Sequence, residues 1–190
     1  KFERWGVEEG LLNGRVYAFA ETRDGALWFG TWSGLSRWKE GNWTHWARGQ
    51  GLRVDRVFAL VADQQDQVWF AHIGGGLGYI DGADRVHYET ITPDGPDPSF
   101  WDLRIDADGR LWASSLDGLF CYHAGGWSHL GIRTGLSNSR LWPLLPVDER
   151  IYVGTQGNGV CILDLTALVL PPPRVRLTAT VTDEDKVLLA

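Results

Sequence analysis

The sequence has no methionine, only two cysteines and no long apolar run. Its apolar stretches fall well short of the roughly 20 residues that a membrane-spanning helix needs. No charged leader followed by an apolar segment opens the chain, and residues 1–5 already resemble folded structure. We therefore expect a piece of a longer protein, with any targeting or membrane segment lying outside this chain.

The chain also lacks an excess of basic charge and any recognisable catalytic cluster. It has 18 Lys and Arg residues against 24 Asp and Glu residues, and the basic residues are scattered. This distribution argues against a nucleic-acid partner. The five histidines have no ligand spacing, and no nucleophile with its base or pair of carboxylates stands out. We expect no metal, no cofactor, no catalytic residue and no enzymatic activity.

Glycine and aromatic residues are abundant: there are 24 Gly, 11 Trp, 7 Phe and 5 Tyr residues. This mixture is typical of many short strands joined by tight turns. The sequence therefore favours an all-β fold over a helical one.

A repeat with a period near 40 residues organises these aromatic residues. Each of four segments has an aromatic anchor, and a glycine followed by Leu or Val comes six or seven residues later. The anchors, spaced 41, 43 and 40 residues apart, are Trp28, Trp69, Trp112 and Tyr152, and the glycines are Gly34, Gly76, Gly118 and Gly159. A period of this length with strand character predicts the blades of a β-propeller.

Each repeat can be divided into four short antiparallel strands. An alternating apolar stretch comes first, followed by a turn such as Asp24-Gly25, the anchor strand, the Gly-Leu strand and an outer aromatic strand. In the fourth repeat Pro143 and Pro146 fall in the first stretch, which indicates a distorted or edge strand. The fold prediction is a partial β-propeller of about four four-stranded blades.

The repeat also sets the expected boundaries. Propeller blades should occupy residues 1–168, with 1–9 as the outer strand of a preceding blade, because Phe2 and Trp5 precede Gly10 as Trp43 and Trp46 precede Gly51. We expect blades over 10–50, 51–95, 96–134 and 135–168. A proline linker over 169–173 and the first strand or strands of a sandwich-like domain over 174–190 should follow.

Cys121 and Cys161 occupy equivalent positions in neighbouring repeats. Two buried free thiols are the favoured interpretation, and a disulfide stays open as the alternative.

The motif around Trp28, LWFGTWSGL, followed by RGQGLRVDRVFALVAD, resembles the two-component regulator propeller repeat. The repeat at Tyr152 keeps Gly154-Thr155, whereas Ala71-His72 and Ser114-Ser115 replace Gly-Thr in the other two. The segment after Pro171 is similar to the start of the three-Y immunoglobulin-like domain. The resemblance implies a periplasmic or extracellular sensor region, with a kinase or cyclase output domain outside this chain, and glycan-derived ligands in some members.

Candidate ligand-binding residues recur at equivalent positions. Arg15, Arg56 and Arg140 each stand five residues after the glycine of a Gly-Leu pair, and aromatic residues follow two positions later at Tyr17, Phe58, Trp101 and Trp142. Three guanidinium groups near one mouth would favour an anion, and the aromatic rings could stack on sugar rings. The alternative is that these residues only pack between blades. His72, in the loop with Gly74-Gly75-Gly76, is a further candidate, against a purely structural bulge.

Three functional classes are therefore open. The leading one is a non-catalytic sensor propeller that binds a small molecule or glycan-derived ligand. The second is a scaffold that binds protein partners, and the third, less favoured, is a lyase-type propeller enzyme. An open set of blades would leave apolar faces bare, so we also expect homo-oligomers through exposed blade faces.

Overall fold

The computed structural model describes residues 1–92 and 96–170, together with the backbone of 179–181 and 187–189. Among these residues, helix is limited to three single 3-10 turns at Val7–Glu9, Arg48–Gln50 and Ile132–Thr134. No helix in the described part of the chain is long and apolar enough to cross a membrane. The remaining regular structure is antiparallel strand.

The first two blades are four-stranded meanders. Blade 1 consists of β1 (Val16–Glu21), β2 (Leu27–Thr31), β3 (Gly34–Lys39) and β4 (Asn42–Trp46), paired in that order. Blade 2 consists of β5 (Val57–Ala62), β6 (Val68–His72), β7 (Gly76–Ile80) and β8 (Val86–Tyr88), also paired in chain order.

The third blade repeats this plan, and the fourth is shorter. Blade 3 consists of β9 (Phe100–Ile105), β10 (Leu111–Ser115), β11 (Leu119–His123) and β12 (Gly126–Leu130). Blade 4 has β13 (Leu141–Val147), β14 (Arg150–Thr155) and β15 (Val160–Asp164). The backbones of β16 (Ala179–Val181) and β17 (Val187–Leu189) form a separate two-stranded sheet.

The turn between the first two strands of a blade is fixed by the anchor tryptophan. In blade 3 the Trp112 indole donates a hydrogen bond to Asp106 over 2.7 Å, and in blade 2 Trp69 donates to Asp63 over 2.8 Å. The other oxygen of Asp106 accepts backbone N–H groups of the turn, at Asp108 and Arg110. The periodic tryptophan therefore sets both the buried face of its strand and the shape of the preceding turn.

A hydroxyl residue at the end of the anchor strand fixes the next turn. Thr31 donates to the carbonyl of Gly34 over 2.8 Å, and Ser115 donates to that of Gly118 over 3.0 Å. Gly34 needs its glycine, because its φ is +134° and an added Cβ would lie 2.2 Å from the carbonyl oxygen of Trp46. This geometry accounts for the threonine of the Gly-Thr pair and the glycine of the Gly-Leu pair in blade 1.

The hydrophobic core lies between successive blades. One cluster joins Trp28 and Trp46 of blade 1 to Phe70 of blade 2, and another joins Trp69 of blade 2 to Leu103 and other residues of blade 3. A third joins blades 3 and 4 and includes Trp112, Cys121 and the partly buried Cys161. Both cysteines are free thiols, and burial raises the pKa of Cys121 to about 12.

The prediction of a partial propeller of about four antiparallel blades is confirmed, with one difference in blade 4. Residues 165–170 follow β15 and contain a bend and a turn but no fourth strand, and Leu165, Leu168 and Leu170 pack on the core between blades 3 and 4. The prolines of β13 lie on an edge strand whose register shifts between Leu141 and Leu144. This matches the distortion expected from Pro143 and Pro146.

The two ends of the predicted domain plan differ from the blades between them. Residues 1–6, predicted as part of the outer strand of a preceding blade, form no strand. Trp5 instead packs on Trp38 and Trp43 of blade 1. The predicted linker residues 171–173 and most of 174–190 lie outside the described residues, so the sandwich-like domain stays a prediction.

Candidate functional site

A β-bulge recurs in the innermost strand of every blade and places an aromatic side chain. The strand register shifts on either side of Tyr17, Phe58 and Trp101, and across Trp142 and Pro143. A bulge re-aims the side chain of its extra residue away from the alternation of the strand. The same four repeat positions therefore turn their rings toward the neighbouring inner strands.

These rings form a continuous row across four blades, which we call the axial row: Tyr17, Phe58, Trp101 and Trp142. The ring centroids are 4.6 Å apart between Tyr17 and Phe58, and 6.1 Å apart between Phe58 and Trp101. Trp101 and Trp142 are separated by 4.7 Å. The ends of the row are open, since Tyr17 is 40% exposed and Trp142 is 47% exposed.

Two arginines converge on one indole beside the row. The guanidinium carbon of Arg56 lies 4.1 Å from the centre of the Trp32 ring, and that of Arg15 lies 5.3 Å from it. Tyr17 contacts the same indole at 6.3 Å between centroids. Trp32, Arg48, Asp55 and Arg56 line a depression of about 450 Å³. The structure thus brings Arg15, Arg56 and Tyr17 together.

The arginine positions are set by short backbone motifs. The side-chain oxygen of Asn13 accepts the N–H of Arg15 over 2.9 Å, and that of Asn138 accepts the N–H of Arg140 over 2.8 Å. Such turns hold the chain locally before the strand begins. Arg140 is exposed, and its described contacts join it to Asn138 and Gln156 of its own blade. They do not join it to Arg15 or Arg56.

His72 lies inside blade 2 and away from solvent. Its side chain is fully buried, Nδ1 donates to the carbonyl oxygen of Arg56 over 2.8 Å, and Nε2 lies 3.1 Å from the Tyr88 hydroxyl. Because a carbonyl can only accept, Nδ1 carries the hydrogen and the neutral ring accepts from Tyr88 at Nε2. The site prediction for His72 is corrected in this respect: it supports the backbone of Arg56 and is not itself exposed to a ligand.

Burial lowers the pKa of His72 below its usual value. The unfolded chain therefore binds this proton at a higher pH than the folded chain does, near pH 6.5. We expect the free energy of unfolding to be fully developed above pH 6.5 and to fall as the pH drops below it. In His72→Gln, whose amide can donate to Arg56 and accept from Tyr88, the loss between pH 7 and pH 5 should be smaller. Urea unfolding at both pH values measures this, and an equal loss in both proteins would contradict the prediction.

The glycine loop after His72 reflects close packing. An added Cβ on Gly75 would lie 2.8 Å from side-chain atoms of both His72 and Val54. The Gly74 N–H donates to the hydroxyl of Ser99, the blade 3 counterpart of Arg15, over 2.9 Å. The loop therefore joins blade 2 to the entrance of blade 3.

Trp32 and the bulges of β1, β5 and β9 were not identified from the sequence, whereas the prolines of β13 did indicate a distorted strand. Trp32 is the first residue after β2, which ends at Thr31. The backbone turn at that point therefore determines how far the Trp32 ring lies from Arg15 and Arg56. The bulges leave no trace in the alternation of apolar residues. The recurrence of an aromatic residue at one repeat position was the available signal. Among the described residues, no group of three or more His, Cys, Asp or Glu side chains could hold a metal ion.

One repeat of the chain matches a known protein family. A family model for the two-component regulator propeller matches residues 10–33. No curated protein matches the chain. The matched segment contains β1, the following turn and the Trp28 anchor, together with Asn13, Arg15, Tyr17 and Trp32.

Solved structures show the same fold. The extracellular domain of a protein assigned as a hybrid two-component system from B. thetaiotaomicron superposes with a TM-score of 0.76 at 19% identity, over 89% of this chain and 26% of that chain. A second such domain from the same organism gives 0.65 at 24% identity, over 80% and 22%. A catalytically inactive histidine variant of virginiamycin B lyase from Staphylococcus aureus gives 0.63 at 16% identity, over 77% and 50%.

The chain thus spans about a quarter of the length of the two extracellular domains. At these identities, the similarity establishes the fold. Residues 10–33 thus match the two-component regulator propeller repeat, and the chain as a whole has the fold of a β-propeller segment with four antiparallel blades.

Proposed function

We propose that this chain is the ligand-binding propeller of an extracytoplasmic sensor region in a bacterial two-component-type signalling protein. In this proposal the segment is non-catalytic and lies on the periplasmic or extracellular side of the inner membrane. The similarity to extracellular domains of two-component systems supports this setting. The proposed ligand is an anionic, glycan-derived small molecule.

One observation carries the ligand class: two guanidinium groups share the Trp32 indole beside an aromatic row whose two ends are exposed. Guanidinium groups bind carboxylates through paired, charge-assisted hydrogen bonds. Aromatic faces offer flat apolar surface on which the apolar face of a sugar ring can pack. An acidic sugar unites both features, with its carboxylate at Arg15 and Arg56 and neighbouring rings along the axial row.

The Trp101 indole adds a polar feature within the row. Its Nε1 is buried and has no hydrogen-bond partner among the described residues. Buried donors without partners are uncommon, and each one is costly to the folded state. In the proposed complex a hydroxyl of the ligand accepts this hydrogen bond after a small movement of Trp142.

Isothermal titration with a panel of neutral and uronic-acid oligosaccharides tests the proposal. We expect binding of acidic members, and a loss of about tenfold or more in affinity for Arg56→Gln, because a hydrogen bond to a charged group contributes about 1.5–3 kcal/mol. Arg133→Gln, which changes an exposed arginine in the 3-10 turn after blade 3, is the matched control and should leave the affinity unchanged.

Three results would overturn the proposal. Binding of no oligosaccharide would favour the scaffold function, in which the blades orient domains and contact protein partners. Chemical conversion of quinupristin, the compound named with the inactive lyase, would contradict a non-catalytic role. Equal affinities of the Arg56→Gln and Arg133→Gln proteins would place the ligand elsewhere.

A further inference from the structure

A cavity of about 230 Å³ lies between blades 2 and 3, beside the turns that join the first two strands of each blade. Trp69, Tyr79 and Tyr122 contribute aromatic rings to its lining, and Asp63 and Glu89 contribute carboxylates. None of the described residues that line it is basic. The cavity is smaller than the roughly 300–1,000 Å³ of sites for drug-sized ligands, which limits an occupant to a small ion or a single side chain.

Glu89 occupies a repeat position that is apolar in the neighbouring blades. Its N–H donates to the carbonyl of Leu77 over 3.0 Å, and Leu77 is the counterpart of Leu35, opposite which Trp46 lies in blade 1. The corresponding residue of blade 3 is Leu130. Both Trp46 and Leu130 are buried core residues. Glu89 therefore brings a carboxylate to a place between blades where the repeat otherwise has a core side chain.

The two carboxylates of the cavity lack a cationic partner. The Trp127 indole donates to Glu89 over 3.2 Å, and the Trp69 indole donates to Asp63 over 2.8 Å. Both donors are neutral. Within residues 1–92 and 96–170, neither carboxylate forms an ion pair. The cavity therefore holds negative charge that the described side chains leave uncompensated.

The tyrosines of the cavity experience this negative charge. Burial and, after it, the charge of Glu89 raise the pKa of Tyr79 and of Tyr122 above the usual value. Their hydroxyls therefore stay neutral near pH 7 and can accept hydrogen bonds. The neighbouring Arg85 is bound elsewhere, because its Nε donates to Asp81 over 2.9 Å.

Between blades 1 and 2, the equivalent space holds a guanidinium group of the chain itself. Arg37 is the counterpart of Tyr79, since it lies opposite Trp28 as Tyr79 lies opposite Trp69. Its guanidinium carbon lies 5.3 Å from the centre of the Trp28 ring, and its Nη2 donates to Asp84 over 3.0 Å. This chain thus already places a guanidinium between an anchor indole and a carboxylate at one junction of two blades.

We propose that the cavity between blades 2 and 3 binds a guanidinium group supplied from outside the chain. The guanidinium forms charge-assisted hydrogen bonds with Glu89 and lies against the rings of Tyr79 and Tyr122. Its source is a small guanidine compound or an arginine side chain of a peptide. The site is separate from the axial row and selects the opposite charge.

Isothermal titration of the 190-residue chain with agmatine, and with a Gly-Arg-Gly peptide blocked at both ends, tests the site. We expect at least one of them to bind, and N-butylurea, which is neutral, not to bind. In Glu89→Gln the amide oxygen can still accept from Trp127 but the charge is lost, so the affinity should fall about tenfold or more. Glu21→Gln, at an exposed carboxylate on β1, is the matched control and should bind as the wild type does.

Tyr79→Arg gives blade 2 the residue that blade 1 has at Arg37. The new guanidinium should occupy the cavity and abolish binding, and circular dichroism checks that the strands are intact. Arg56→Gln should keep the wild-type affinity for the guanidine, so this site and the oligosaccharide site are tested separately.

Binding of the peptide alone would assign the site to an arginine side chain, and binding of agmatine would assign it to a small guanidine. No binding of either, an unchanged affinity in Glu89→Gln, or full binding by folded Tyr79→Arg would overturn the proposal.

Discussion

Replacement of Trp112 by alanine is expected to lower the free energy of unfolding by about 4 kcal/mol, within the range measured for large aromatic residues in cores. Trp112 is fully buried between blades 3 and 4. Its loss leaves a cavity beside Leu119, Leu141 and Leu144, and removes the indole hydrogen bond to Asp106. Both the interface between the blades and the turn before β10 should weaken.

Urea unfolding at one fixed protein concentration measures this effect, since association adds to apparent stability. Trp142→Ala is the control, because it removes the same side chain from a site that is 47% exposed. It should lower the free energy of unfolding by less than about 1 kcal/mol. Similar losses in the two variants would contradict a core organised around the buried anchors.

A second large effect is expected for Gly34→Ala, at roughly 3 kcal/mol. An alanine there adopts an unfavourable positive φ and also places Cβ against the backbone carbonyl of Trp46. Backbone cannot rotate away as a side chain can, so the joint between β3 and β4 must shift. The tight approach of β3 to β4 at the Gly-Leu pair of blade 1 depends on this contact.

Gly41→Ala separates the two causes. Gly41 also has a positive φ, of +85°, but no atom lies within 4 Å of an added Cβ. This variant should lose only about 1 kcal/mol, the cost of the backbone conformation alone. Thermal or urea unfolding of both proteins gives the comparison. A loss for Gly41→Ala equal to that for Gly34→Ala would show that packing against Trp46 contributes nothing.

The blades could be predicted from the sequence because their determinants recur at a fixed period. The anchors Trp28, Trp69 and Trp112 are all buried. The glycine after each anchor strand has a positive φ, which few other residues adopt. Periodic burial and turn chemistry are local properties, so the sequence pattern reports them directly. That blade 4 has three strands was not predictable, because residues 165–170 are as apolar as a strand would be.

The site was predictable only in part. The repeat showed that Arg15, Arg56 and Arg140 occupy equivalent positions. It did not show that the guanidinium groups of Arg15 and Arg56 both lie over the Trp32 ring, because that contact depends on distances across two blades. Strand alternation also assumed regular β1, β5 and β9, whereas each has a bulge. The role of His72 could not be inferred either, since its partner is a backbone carbonyl. A sequence does not show which carbonyls need a donor.

The bulges and the arginine pair have a common consequence for function. They place aromatic rings from all four blades along one surface and set a pair of cations at one end of it. Tyr17 and Trp142 are 40% and 47% exposed, so these two rings contribute little buried surface to the hydrophobic core. The proposal that this surface binds a ligand therefore rests on geometry that folding alone does not require.

A crystal structure of the chain with a galacturonic acid disaccharide tests this claim most directly. The proposal predicts a sugar carboxylate within hydrogen-bond distance of the Arg15 or Arg56 guanidinium, with a sugar ring on the axial row. A disaccharide bound at another surface, or an empty axial row at saturating concentration of the sugar, would contradict it.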